Sequence, residues 1–151
     1  MRKLAALMII ATFGLCLTSC SKDDDGPGNT SGNYGDKPAR VSKPTVSEVA
    51  GSTTSTDFDV TFKVKSEEEP SSVILHYVSY SNKSTTVSES KCSKTSSCTF
   101  QKVEGKSSKY WYYRARHTGF HQGYYIYYYV EASNSSGTAK TAVKSRVFKR
   151  I

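Results

Sequence analysis

Two histidines four residues apart, His117 and His121, have the spacing of a metal-ligand pair. That spacing aligns two imidazoles on a helix, but Gly119 lies between them and marks a turn. No carboxylate or third ligand stands in the motif, so polar residues at a strand end are expected there and no metal site. Glu67-Glu68-Glu69 before Pro70 offers carboxylates for calcium or for catalysis. Calcium takes oxygens spread through a turn rather than three adjacent acids, which leaves a solvated loop as the expectation. Asp57 and Asp59 share one strand face at about 7 Å, the separation of a glycosidase pair, yet such a pair works in a cleft that a lone sandwich does not offer. The chain has no Gly-x-Ser-x-Gly, no phosphate-cradling glycine loop and no nucleophile triad. Cys92 and Cys98 are not spaced as Cys-x-x-Cys and have no histidine beside them, which argues against a redox or metal pair. Neither an enzyme nor a cofactor is expected.

The residue type in surplus is tyrosine, with eleven in the chain. If Ile126, Tyr128, Val130 and Ala132 point inward, then Tyr125, Tyr127 and Tyr129 point outward as a row. Flat aromatic rings stack on sugars and on protein partners, and the phenol hydroxyl tolerates water. The same row would also serve simply to cover its sheet, because cross-strand aromatic pairs stabilise sheets by about 0.2–1 kcal/mol each. Both readings stand on the sequence.

The elements that carry these residues are strands. Asp57–Lys65 alternates strictly, with Phe58, Val60, Phe62 and Val64 on one face and Asp59, Thr61 and Lys63 on the other. Ser72–Tyr80 places Val73, Leu75 and Tyr77 opposite Ile74, His76, Val78 and Tyr80. Tyr110–His117 turns Trp111, Tyr113 and Ala115 inward and Tyr112, Arg114 and Arg116 outward. A short first strand at Thr45–Val49, a polar edge strand at Lys83–Ser90, and strands at Cys98–Val103, Tyr124–Ser133 and Thr138–Phe148 complete the set. No helix is expected after the leader. Seven or eight short antiparallel strands over about 105 residues is the pattern of an all-β sandwich with one core.

The N-terminal region reads as targeting rather than fold. Arg2 and Lys3 precede an uncharged run from Leu4 to Leu17, and then comes Leu17-Thr18-Ser19-Cys20. Charged head, apolar stretch and small residues make a cleaved signal over residues 1–19, and the run is short for a bilayer span of about 20 residues. Leu-Thr-Ser-Cys resembles the lipobox of bacterial lipoproteins. The resemblance implies lipid attachment and acylation (palmitate class) at Cys20, with multiple acyl chains holding the chain to a membrane. Ser21-Lys22-Asp23-Asp24-Asp25 resembles the surface-export signal of some Gram-negative lipoproteins, implying an outer-membrane location with the chain exposed at the cell surface. Residues 20–42, rich in Gly, Asn and Pro, read as a flexible tether with a reach on the order of 20 Å, and residues 43–151 as the domain. In that exported, oxidising setting Cys92 and Cys98 are expected to form a disulfide closing a short loop, stabilising by roughly 2 kcal/mol.

Ile126-Tyr127-Tyr128-Tyr129-Val130-Glu131-Ala132-Ser133-Asn134-Ser135-Ser136-Gly137 resembles the late-strand signature of fibronectin type III and immunoglobulin-like domains, where alternating inward residues run into Ala-x-Asn-x-x-Gly. Phe62 matches the inward aromatic of the second strand. The resemblance covers about Lys43 to Phe148. It departs from the family at Ile126, which stands where a tyrosine is usual, in its local cysteine pair, and in placing its only Trp on a late strand. It implies that the Tyr125 strand lies between the third and the last strands. The outward row would then be flanked by His76, Val78 and Tyr80 on one side and by Lys140, Lys144 and Arg146 on the other.

The whole chain carries a net charge of +8, and from Lys37 onward eighteen Lys and Arg stand against nine Asp and Glu. Such a surplus favours acidic partners. For an exported chain nucleic acid is the least natural of these, and none is expected. The reading is a non-enzymatic binding or adhesion module for a glycan or an envelope protein. Its candidate face is Tyr125, Tyr127, Tyr129, His76, Tyr80, Lys140 and Lys144. The alternative is a structural accessory or spacer subunit of an outer-membrane assembly.

Overall fold

The computed structural model describes residues 41–151, which fall within the compact unit Pro38–Ile151. The signal segment, Cys20 and most of the tether lie outside the described residues. Strands are β1 (Thr45–Thr53), β2 (Phe58–Lys65), β3 (Ser72–Tyr80), β4 (Lys94–Ser97), β5 (Thr99–Glu104), β6 (Tyr110–His117), β7 (Tyr125–Asn134), β8 (Gly137–Lys140) and β9 (Lys144–Val147). One sheet has the order β1-β2-β6-β5. The other has the order β4-β3-β7-β8, with β9 also paired to β7. All pairings are antiparallel. The only helical turn among the described residues is a 3-10 turn at Glu89–Lys91. The protein is all-β and sandwich-like.

Alternation decides the core. Phe58, Val60, Phe62 and Val64 of β2 are buried against Val73 and Leu75 of β3, Trp111, Tyr113 and Ala115 of β6, and Ile126, Tyr128, Val130 and Ala132 of β7. Period-two placement puts each of these on the inner face of its sheet, where burial of a large apolar side chain contributes about 1.5–3 kcal/mol. Polar groups drawn inside find partners. The Trp111 indole donates to the Ser66 carbonyl at 3.2 Å. Buried Asn134 donates to the Ser42 carbonyl (2.8 Å) and accepts from the Ser136 amide (2.9 Å). This side-chain turn, with Gly137 at φ 139°, swings β7 into β8.

Three elements differ from the sequence expectation. β1 continues to Thr53, past an irregularity in register between Glu48 and Ala50. Lys83–Ser90 is not a strand. It lacks period-two apolar residues and instead crosses the outer face of the second sheet, leaving β4 as the edge. The last strand is broken in two. β8 pairs Lys140 with Glu131, and the same register would set residue 144 opposite Tyr127, but β9 pairs Lys144 with Tyr128. At the break the Val130 amide donates to the Thr141 hydroxyl (3.0 Å). A side chain thus takes the donor that a ladder carbonyl would receive, and one extra residue enters the strand.

That one-residue slip exchanges the faces of everything after it. Arg146 and Lys144 turn inward across the gap between β9 and β1, where Glu48 waits. The Tyr128 hydroxyl donates to Glu48 Oε2 (2.9 Å), Arg146 Nε donates to the Tyr128 oxygen (2.9 Å), and Arg146 Nη2 meets Glu48 Oε1 at 2.6 Å. Lys144 Nζ lies 3.1 Å from Glu48 Oε2. Burial works to raise the Glu48 carboxyl, but the bonds from Arg146, Lys144 and Tyr128 prevail and hold it below the ordinary carboxylate range. Burial pushes the Tyr128 phenol up to about 12. This charged cluster seals one open side of the sandwich.

Candidate functional site

The tyrosine row faces outward as its alternation requires. Tyr129 stands opposite His76, Tyr127 opposite Val78 and Tyr125 opposite Tyr80. Most of it is nonetheless buried, with Tyr127 and Tyr129 each 5% exposed. The covering layer is the segment between β3 and β4. The Ser84 amide donates to the Tyr127 oxygen (2.6 Å), the phenol donates back to the Ser84 carbonyl (3.0 Å), and Val87 and Cys92 pack onto the rings. His76 lies flat on Tyr129 with ring centroids 4.6 Å apart. Lys140 sits 5.5 Å above the Tyr129 ring and is held by Glu89 (3.0 Å) and Glu131 (3.5 Å). Tyr127, Tyr129, His76 and Lys140 are therefore engaged within the fold. Lys144 is a correction of a different kind. The slip at Thr141 turns it to the Glu48 cluster, away from the row.

The expected disulfide is also corrected. Cys92 and Cys98 are both free thiols. Cys92 packs with Tyr127 and Tyr129 on the outer side of the second sheet, whereas Cys98 packs against the core. β4 runs between them as a ladder on β3, so the two side chains lie on opposite faces. Burial raises both thiols, Cys98 to about 12, and leaves them protonated at neutral pH.

What remains open is the end of the row. Tyr80, Tyr125 and Val147 stand side by side on β3, β7 and β9. Tyr80 is 37% and Val147 45% exposed, and Tyr125 is half-buried beside them. Adjacent strands lie about 4.8 Å apart, so the row is roughly 10 Å long. Two adjoining depressions meet at Tyr125 and share Lys83, Val147 and Lys149, and the first also includes Arg150. No Asp or Glu lines either. Among the described residues, Lys83, Lys149 and Arg150 make no ion pair.

The backbone that carries two of these cations is pinned. The Phe148 amide donates to the Tyr124 carbonyl (2.9 Å), the Gly123 amide to the Phe148 carbonyl (2.8 Å), and the Lys149 amide to the Thr54 carbonyl of the opposite sheet (3.0 Å). Gly123, at φ 77°, leaves room for the Arg150 guanidinium, which lies against the place where a Cβ would stand. The positive φ of that turn favours glycine.

The outer face of the first sheet provides a contrast. It too is aromatic and basic, with Lys63 over Tyr110 (5.2 Å) and Lys102 over Tyr112 (4.9 Å). There acids stand among the cations. Lys102 pairs with Glu104, Arg114 with Asp59, and Arg116 with Asp57 at 3.8 Å. Asp57 and Asp59 are thus cross-strand ion-pair partners. Glu67 accepts from the Ser42 hydroxyl (3.0 Å) and Glu68 from the Ser135 amide (2.6 Å), so these acids bind the loops at the other end of the domain. His117 packs on Tyr77 at 5.0 Å while His121 packs on Tyr124 at 5.0 Å. Burial lowers the His117 imidazole. No cluster of three His, Cys, Asp or Glu with metal-site geometry occurs among the described residues.

Lys83, Val147, Lys149 and Arg150 belong to the open site although strand alternation does not mark them. A signal was present in Val147-Phe148-Lys149-Arg150, where an apolar pair runs into two cations. No protein-family model, curated protein or solved structure matches the chain.

Proposed function

We propose that this chain is a bacterial lipoprotein, cut before Cys20, lipidated there and displayed at the outer-membrane surface. In this reading its domain, of fibronectin type III or immunoglobulin-like type, is a non-enzymatic module that binds a glycan. The strand order supports the domain type: β1-β2-β6-β5 faces β4-β3-β7-β8/β9, which parallels the four-plus-three arrangement of immunoglobulin sandwiches with one added edge strand. The observation that carries the binding reading is the open row Tyr80–Tyr125–Val147, the uncovered remnant of an aromatic face otherwise closed by the chain itself. Exposed aromatic rings beside polar donors are the surface on which sugars stack. An accessory subunit, the alternative, would need a partner to cover the tyrosine face, and the chain's own segment before β4 already covers Tyr127 and Tyr129.

The test is a glycan array and envelope pull-down with the full chain, native against Tyr125→Ala. A glycan signal lost in a variant of unchanged melting temperature supports the reading. One envelope protein held equally by both forms overturns it in favour of the accessory subunit. Palmitate labelling of the native chain, absent from Cys20→Ala, tests the anchor.

A further inference from the structure

We infer that the cleft at Tyr125 is selective for acidic polysaccharide, its sugar lying along Tyr80, Tyr125 and Val147 and its carboxylate or sulfate groups meeting Lys83, Lys149 and Arg150. The inference rests on the glycan-binding reading above and adds the ligand's charge. Its basis is a difference between the two sheets. On the first sheet acids stand among the cations, Glu104 beside Lys102, Asp59 beside Arg114 and Asp57 beside Arg116, although Lys63 over Tyr110 and Lys109 over Trp111 have no acidic partner among the described residues. At Tyr125 three cations surround an open aromatic floor with no acid in the lining. The surplus positive charge noted in the sequence thus has a place where it is both unanswered and adjacent to a stacking surface.

Preorganisation strengthens the case. Phe148 and Lys149 are bonded to Tyr124 and Thr54, and Arg150 lies over Gly123. Lys149 therefore stands on a held backbone, with Arg150 next to it in the chain, and loses less freedom when an anion arrives. A guanidinium also offers paired N–H donors that match the two oxygens of a carboxylate or sulfate. A neutral sugar would stack on the tyrosines and leave all three cations without partners.

The experiment is affinity electrophoresis of the full chain in detergent through gels containing dextran, dextran sulfate or alginate. The native chain is expected to be retarded by dextran sulfate, by alginate or by both, and not by dextran. The comparison of those two gels tells sulfate from carboxylate. Lys149→Ala/Arg150→Ala should weaken retardation about tenfold or more. Lys63→Ala/Lys65→Ala removes the same charge from the first sheet and should change it little. Arg150→Lys should restore part of the loss in the Arg150→Ala single variant. Equal weakening by both double variants would overturn the inference, because the attraction would then belong to net charge alone. Retardation by neutral dextran that Tyr125→Ala abolishes would also overturn it while leaving glycan binding intact. Retardation by no gel, or by gels indifferent to Tyr125→Ala, would overturn the glycan reading itself.

Discussion

Tyr127 and Ser84 are joined by a reciprocal pair of hydrogen bonds, the amide giving to the phenol oxygen and the phenol giving back to the carbonyl. A side chain from the middle of a sheet thereby closes a small ring with a loop 43 residues earlier in the chain. This pair fastens the covering layer over Tyr127 and Tyr129.

Tyr127→Phe should loosen that cover without unfolding the sandwich. Loss of a partner for two backbone groups is expected to destabilise by about 1–2 kcal/mol. Amide hydrogen exchange should accelerate at Ser84 and along the covering segment while Phe62 and Val130 stay protected. Equal acceleration in the core would refute the separation of the two layers.

Glu48→Gln should destabilise by about 2 kcal/mol, because Arg146 and Lys144 lose their shared counter-charge, with solvent screening part of the loss. The pH dependence follows from the depressed Glu48 carboxyl. Its contribution is complete above the ordinary value of 4.5 and is lost as pH falls through the lower folded value. Denaturant melts of the native chain should therefore fall more steeply below pH 4.5 than those of Glu48→Gln.

Gly51→Ala should disturb the same cluster from a residue that touches it only through space. An added Cβ would lie 2.7 Å from Arg146 Nη2 and 2.8 Å from Glu48 Oε1. The expected loss is about 1–2 kcal/mol. In an Arg146→Ala background most of that loss should vanish, a coupling measured by a double-mutant cycle.

Reductant should leave the melting temperature unchanged, since Cys92 and Cys98 are unbonded and separated by a strand. Mass spectrometry after alkylation should find two more labelled thiols in denaturant than in native buffer. A fall in melting temperature with reductant would restore the expected staple.

The parts of this fold legible from sequence are those governed by alternation. β2, β3 and β6 follow it without interruption, and so did the outward sense of Tyr125, Tyr127 and Tyr129. The cover was not legible, because a segment with Val87 as its main apolar residue has no period that shows which surface it will meet. Thr141 was not legible either: threonine suits a strand, and only the hydroxyl's bond to Val130 reveals the slip. That single extra residue removed Lys144 and Arg146 from the expected face and built the Glu48 cluster from them. Arg150 owes its place to Gly123, far from it in sequence, which no local reading connects.

Asn134, bonded to Ser42, and Tyr125 occupy opposite ends of β7, nine residues apart and so about 30 Å from each other. A chain held ahead of Ser42 and a ligand held at Tyr125 would pull along the strands. The inter-strand hydrogen bonds lie across that line. Such a pull loads the ladders in shear, every rung sharing the force at once, where a pull across the sheet would unzip them one by one.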